Sequence, residues 1–284
     1  MRVAKAQGFT LTELIMVIVI MGVLATVVTP LIGNKFTAVH QSTERAHWVQ
    51  QAEYALFHLR QDLANSVPNS IFVDASTAQV EFLGAPPNAE LYAARYRDQP
   101  NPPASDRLQP NNDQVFDIFG SFTEQPTYVS IGTLNAVDMR TDWENLQSSG
   151  TSGTLAAIQQ MSAVAGSAPG ETRITLAAQQ NFGIGSPFSR AYFTNGPIAY
   201  DCDADENELY RITGYESLAP AEAFATRTSL ANNQARVIDS LVTCSFELLP
   251  GSTFLPPGLR VRLVIGDSSG TIELIDTILL GNGS

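Results

Sequence analysis

Histidine is almost missing from this chain, and its second half has none: His40, His47 and His58 are the only three. A Ser-His-Asp hydrolase site or a His-ligated zinc beyond residue 68 is thereby excluded. Positive charge is scarce as well. Lys and Arg number 16 against 28 Asp and Glu, a formal net charge of −12, and the basic residues form no run. Nucleic-acid affinity rests on clustered positive charge, so nucleic acid is not an expected partner. Cysteine is limited to Cys202 and Cys244, too far apart in sequence for a Cys-x-x-Cys motif. There is no glycine-rich phosphate loop and no internal repeat, and no carboxylate pair stands out for hydrolysis. The chain reads as a non-enzyme.

What it does have is one long apolar run near its start. Phe9 to Val28 is 20 residues with a single charge, Glu13. As a helix rising about 1.5 Å per residue it measures roughly 30 Å, the thickness of a bilayer's hydrocarbon core. Val and Ile dominate it, which suits lipid, where every backbone group must bond internally. The eight residues before it carry Arg2 and Lys5 and end in Gly8. Those charges put the N-terminus in the cytoplasm, with Lys35 a slight counterweight past the other end. Everything after Pro30 then faces an oxidising compartment, where a Cys202–Cys244 disulfide is expected, the other reading being two buried thiols. A secretory signal places its small residues and cut after the apolar run. Here Gly8 precedes the run, so a cut after Gly8 leaves the anchor on the mature chain.

Beyond Pro30 a helical period resumes. Val49, Ala52, Leu56, Leu59 and Leu63 follow at steps of three and four, with Phe57 and Val67 added to that side. The residue before a proline disfavours helix, so this one should end near Val67-Pro68. After Pro68 the period changes to two. Strands are expected at 71–73, 79–83, 92–96, 115–119, 128–131, 173–176, 190–193, 198–200, 208–213, 237–240, 242–248, 259–265 and 271–280. Pro, Asn, Asp and Gly clusters separate them. The Ser, Gly, Thr and Ala-rich stretch Gln147 to Gly170 reads as a mobile loop, or as one short helix around Leu155–Ile158. A long helix followed by strands is an α+β pattern, with a mostly antiparallel sheet on the helix. The divisions are 1–8, a leader; 9–30, a transmembrane half-helix; 31–67, its amphipathic continuation; and 68–284, a β-rich head.

Gly8-Phe9-Thr10-Leu11-Thr12-Glu13-Leu14 ahead of an apolar run resembles the class III signal of type IV prepilins and type II secretion pseudopilins. Thr12 stands where that family usually has isoleucine, and Pro30 where many pilins have a helix-kinking proline. Leu59 to Ser70, Ser186 to Phe193, Gly196 to Cys202 and Leu209-Tyr210-Arg211 are similar to the large minor pilins of the mannose-sensitive haemagglutinin (MSHA) pilus, the MshO type. The resemblance implies a type IV pilin fold, cutting and N-methylation by prepilin peptidase at Gly8 and Phe9, and an inner-membrane assembly platform. It further implies major and minor pilin subunits as partners, and a low-copy place in a pilus that it primes, caps or decorates for adhesion. The confusable alternative is a J-type pseudopilin serving protein export.

Glu13 is the residue expected to carry mechanism. A carboxylate at the edge of an apolar span needs a positive partner, and cutting after Gly8 frees the amine of Phe9. Paired between neighbouring subunits, the two would set assembly register. Asp201, Asp203 and Asp205 alternate like the start of a calcium loop, but Glu206 stands where the loop's glycine belongs and no glutamate follows at position twelve. Both a solvated hairpin tip and a calcium site fit that pattern.

Overall fold

The computed structural model describes residues 10–74, 76–85, 93–99, 106–109, 111–164, 170–183, 185–215, 233–253 and 255–281; the side chains of 27, 29–34, 37 and 233 also fall outside the description. The chain divides into two compact units, Met1–Val49 and Gln50–Ser284. Helix α1, Leu11–Ala64, contributes to both.

From Leu11 to Thr26 α1 presents apolar side chains on every face. Leu14, Ile15, Met16, Ile18, Val19 and Met21 are each more than half exposed. A helix apolar all round is one meant for burial. Among the described residues no helix is long and apolar enough to cross a membrane; the uninterrupted described stretch of the apolar run stops at Thr26.

The second unit begins with residues 50–64 of α1. Ala52, Ala55, Leu56, Leu59 and Leu63 are buried there, the steps of three and four that the sequence shows. Two residues depart from the expected stripe. Phe57 is 60% exposed and Val49 sits at 36%; at 100° per residue Phe57 is carried past the edge of the face that Leu56 and Ala55 occupy. Phe57 instead flanks His58, as Tyr54 does, with ring centroids 5.6 and 4.3 Å away. The helix stops at Ala64, three residues before the expected end, because the Val67 N–H leaves it to donate to Leu83 O at 2.9 Å.

Three antiparallel assemblies follow, in agreement with the α+β expectation. Strands β1 (Phe72–Val73), β2 (Gln79–Gly84), β9 (Gly196–Asp203), β10 (Glu208–Thr213) and β11 (Asn233–Ile238) form a five-stranded sheet in the order β1-β2-β9-β10-β11. Strands β12 (Leu241–Leu249), β13 (Gly258–Asp267) and β14 (Gly270–Leu279) form a three-stranded one. The rest close a barrel that the sequence reading did not foresee: β3 (Ala93–Tyr96), β4 (Asp113–Phe119), β7 (Glu171–Gln180), β6 (Leu155–Ala163), β5 (Tyr128–Ser130) and β8 (Arg190–Thr194). Phe116, Ile118, Val129, Ile174, Leu176 and Phe193 fill it. Each fully buried side chain of this size contributes about 1.5–3 kcal/mol.

Gln147–Gly170 is not one loop. It holds the end of helix α2 (Ala136–Ser149) and all of β6. The Leu155-Ala-Ala-Ile158 run is strand because Leu155, Ala156 and Ile158 are wanted on buried faces of a closing barrel, and tertiary packing outweighs alanine's helical preference. Helix α2 was absent from the expectations although its ends are well signalled. Asn135 caps it, its side chain accepting from the Asp138 N–H at 2.9 Å, and Gly150 closes it at φ 76°, where only glycine is unstrained. Met139, Trp143 and Leu146 bury against Leu83, Ala199 and Ile212 of the five-stranded sheet.

Ion pairs lock these parts together. Asp62 near the end of α1 receives a two-pronged Arg211 at 2.7 and 3.0 Å and the Tyr200 hydroxyl at 2.7 Å. Burial first, then the Asp62 charge, pushes the Tyr200 phenol up from its ordinary value, so it stays a donor. Arg60 reaches Asp276, an inward-leaning charge on edge strand β14, at 2.6 Å. Charges placed this way discourage an edge strand from pairing with another chain.

Candidate functional site at the helix start

The site begins at Thr10, the first described residue. Its carbonyl accepts from the Glu13 and Leu14 N–H groups at 3.1 and 3.2 Å, and its Oγ1 accepts from the Glu13 N–H at 3.3 Å. That is the N-cap half of a Thr-x-x-Glu capping box, a signal already present in the Thr10-to-Glu13 spacing. Glu13 therefore has a local role at the helix start, separate from the assembly role expected of it. It lies in the first helical turn, where a negative charge meets the positive end of the helix dipole, worth about 0.3–1 kcal/mol. Its side chain is exposed.

The polar groups that follow bond within the helix. Thr26 Oγ1 donates to Val23 O at 2.8 Å and Thr43 Oγ1 to Val39 O at 3.0 Å, so neither hydroxyl needs water. Pro30 lies inside α1, which is assigned as helix on both sides of it. Gly8 and Phe9 lie outside the described residues. His40 Nδ1 meets Glu44 at 3.2 Å, an ordinary helical pair one turn apart.

In the second unit the two cysteines meet. Cys202 on β9 and Cys244 on β12 are joined with Cα atoms 6.1 Å apart, across 42 residues of sequence, linking the five-stranded and three-stranded sheets. A loop of that length gives about 4 kcal/mol in the chain-entropy model. Reduction should therefore lower the urea midpoint of the protein markedly, and unfolded, unreduced protein should yield no thiol to an alkylating reagent. Two alkylated cysteines would mean that no bridge forms.

The acidic loop is engaged otherwise. Asp201 accepts from Gln79 Nε2 at 3.1 Å, while Asp203 Oδ1 accepts from the N–H groups of Asp205 and Glu206, both at 2.9 Å. The second pattern is the Asx-type turn of a hairpin tip. Among the described residues no group of three His, Cys, Asp or Glu is arranged to hold a metal ion, so Asp201, Asp203 and Asp205 are not gathered as ligands.

Comparison with known proteins bears on the N-terminus. Residues 3–29 match the family described as prokaryotic N-terminal methylation motif. The chain starts as a type IV prepilin does. The methylation motif takes in Gly8, Phe9 and Glu13 and most of the exposed apolar helix, and it implies processing by prepilin peptidase and assembly with other pilins. It points to a structural subunit, a pilin or pseudopilin precursor, rather than an enzyme. Neither the curated proteins nor the solved structures gave a match for the chain.

Proposed function

We propose that this chain is a minor type IV pilin of the MshO kind. Prepilin peptidase cuts it between Gly8 and Phe9 and methylates the new amine. Residues 9–30 then hold it in the inner membrane with the N-terminus cytoplasmic, Pro30 kinks the helix, and residues 31–64 continue it into a periplasmic head of type IV pilin build. The observation that carries this reading is the methylation motif followed by a helix whose apolar side chains are exposed on all faces. Exposed apolar area on that scale calls for lipid or for the packed helices of neighbouring subunits. The large head supports a low-copy place, since such a head is hard to pack at every position of a filament; priming, capping or decorating a pilus for adhesion follows.

The motif is common to pilins and pseudopilins, so a J-type subunit of protein export is the second reading. Deleting the gene separates the two. A pilin's loss removes surface filaments or attachment and leaves secretion of exported proteins unchanged, with the wild-type chain present in sheared filaments below the major subunit. Normal attachment with failed secretion would replace this reading by the second.

A further inference from the structure

Arg190 opens β8 on the side turned away from the barrel core. Ala191 and Phe193 belong to that core, so Arg190 and Tyr192 project the other way. There both line a cleft of about 220 Å³ whose wall includes Leu63, Ile71, Leu248 and Leu280. Eleven arginines are described in the Gln50–Ser284 unit, and eight of them pair with a carboxylate. Arg190 has no carboxylate partner among the described residues. Directly across from it on β3 stands another cation, Arg95, likewise without one. Like charges facing across strands are unfavourable, and a half-buried guanidinium without a counter-charge is costly.

We propose that this cleft captures the C-terminal carboxylate of a partner polypeptide whose last residue is apolar. The volume is below that of a metabolite pocket and suits one residue. The guanidinium fork matches a carboxylate with two parallel hydrogen bonds. The leucine and isoleucine wall takes the terminal side chain. The site lies wholly in the Gln50–Ser284 unit and stands whether the chain serves a pilus or an export system.

The test uses the full chain in detergent micelles and the peptide dansyl-Gly-Gly-Leu-Leu, with a free C-terminus or as its amide, followed by fluorescence anisotropy. The acid should bind at least ~10-fold more tightly than the amide, the usual worth of a charge-assisted pair. Arg190→Gln should abolish that difference, and Arg107→Gln, a cation outside the cleft, should keep it. Melting temperatures of the variants show that each is folded. Equal binding of acid and amide to the wild-type chain, no binding of either, or an acid preference that survives Arg190→Gln would each overturn the proposal. Since the first comparison needs no variant, it decides even where Arg190→Gln protein does not fold.

Discussion

Replacing Glu81 with alanine is expected to destabilise the head by about 3–5 kcal/mol, the cost of leaving a buried charge without its partner. Glu81 and Arg140 are 2% and 5% exposed, and Arg140 Nη1 donates to Glu81 Oε2. The Tyr215 hydroxyl donates to the other carboxylate oxygen at 2.8 Å. Arg140 has little else to fall back on. Its Nε and Nη2 are already buried without hydrogen bonds among the described residues, and its guanidinium otherwise stacks over Phe72, 4.3 Å from the ring centroid. Since a domain's whole stability is about 5–15 kcal/mol, much of the Glu81→Ala protein should unfold at urea concentrations that wild type withstands. The double change Glu81→Met with Arg140→Met removes both charges and should cost less than Glu81→Ala alone. A double variant as unstable as the single one would mean that the network contributes through shape rather than charge.

Glu13→Gln is expected to leave the chain made, cut and held in the membrane at normal levels, yet missing or strongly depleted in sheared filaments. The substitution keeps the shape and the Thr10 cap on the helix and removes only the charge. The freed Phe9 amine has a reference pKa of ~7.7–8.0 and is mostly protonated at neutral pH. Its attraction to a carboxylate at 4 Å rises from about 1 kcal/mol in water to about 4 kcal/mol at an effective dielectric near 20. On the pilin reading proposed above, this attraction draws a subunit passing from lipid into a filament to the register where the charges meet. Incorporation equal to wild type, measured by immunoblot of sheared filaments against the membrane fraction, would reduce Glu13 to its part in capping the helix.

The helix was legible because its signals are dense: an unbroken apolar run, then Ala52, Leu56, Leu59 and Leu63 on one face. Most strands were legible from their period, and β10 was read to the residue, Glu208–Thr213. The barrel was not, because closure depends on pairings such as β3 with β8 and β5 with β8, which join segments more than 60 residues apart. No local pattern encodes such a partner. Helix α2 is a different case. Asn135, Asp138 and Gly150 carried a readable start and stop, but the segment between is polar and only Met139, Trp143 and Leu146 mark its inner face. At the helix start, Glu13 stands out in the sequence by its cost in lipid, while the Thr10 cap beside it needs only the Thr-x-x-Glu spacing. The acidic alternation at Asp201, Asp203 and Asp205 left two readings open because a hairpin tip and a calcium loop both ask for carboxylates near a turn. Partners such as Gln79, 122 residues away from Asp201, are not legible in any local pattern.

The most direct measurement is the mass of the mature N-terminal peptide from the membrane fraction. The expected chain begins at Phe9, without Arg2 and Lys5, and carries one methyl group on its terminal amine; Gly8→Val should block the cut and leave the precursor. A mature chain that still begins at Met1, or that begins after Pro30, would contradict prepilin processing and with it the pilin reading.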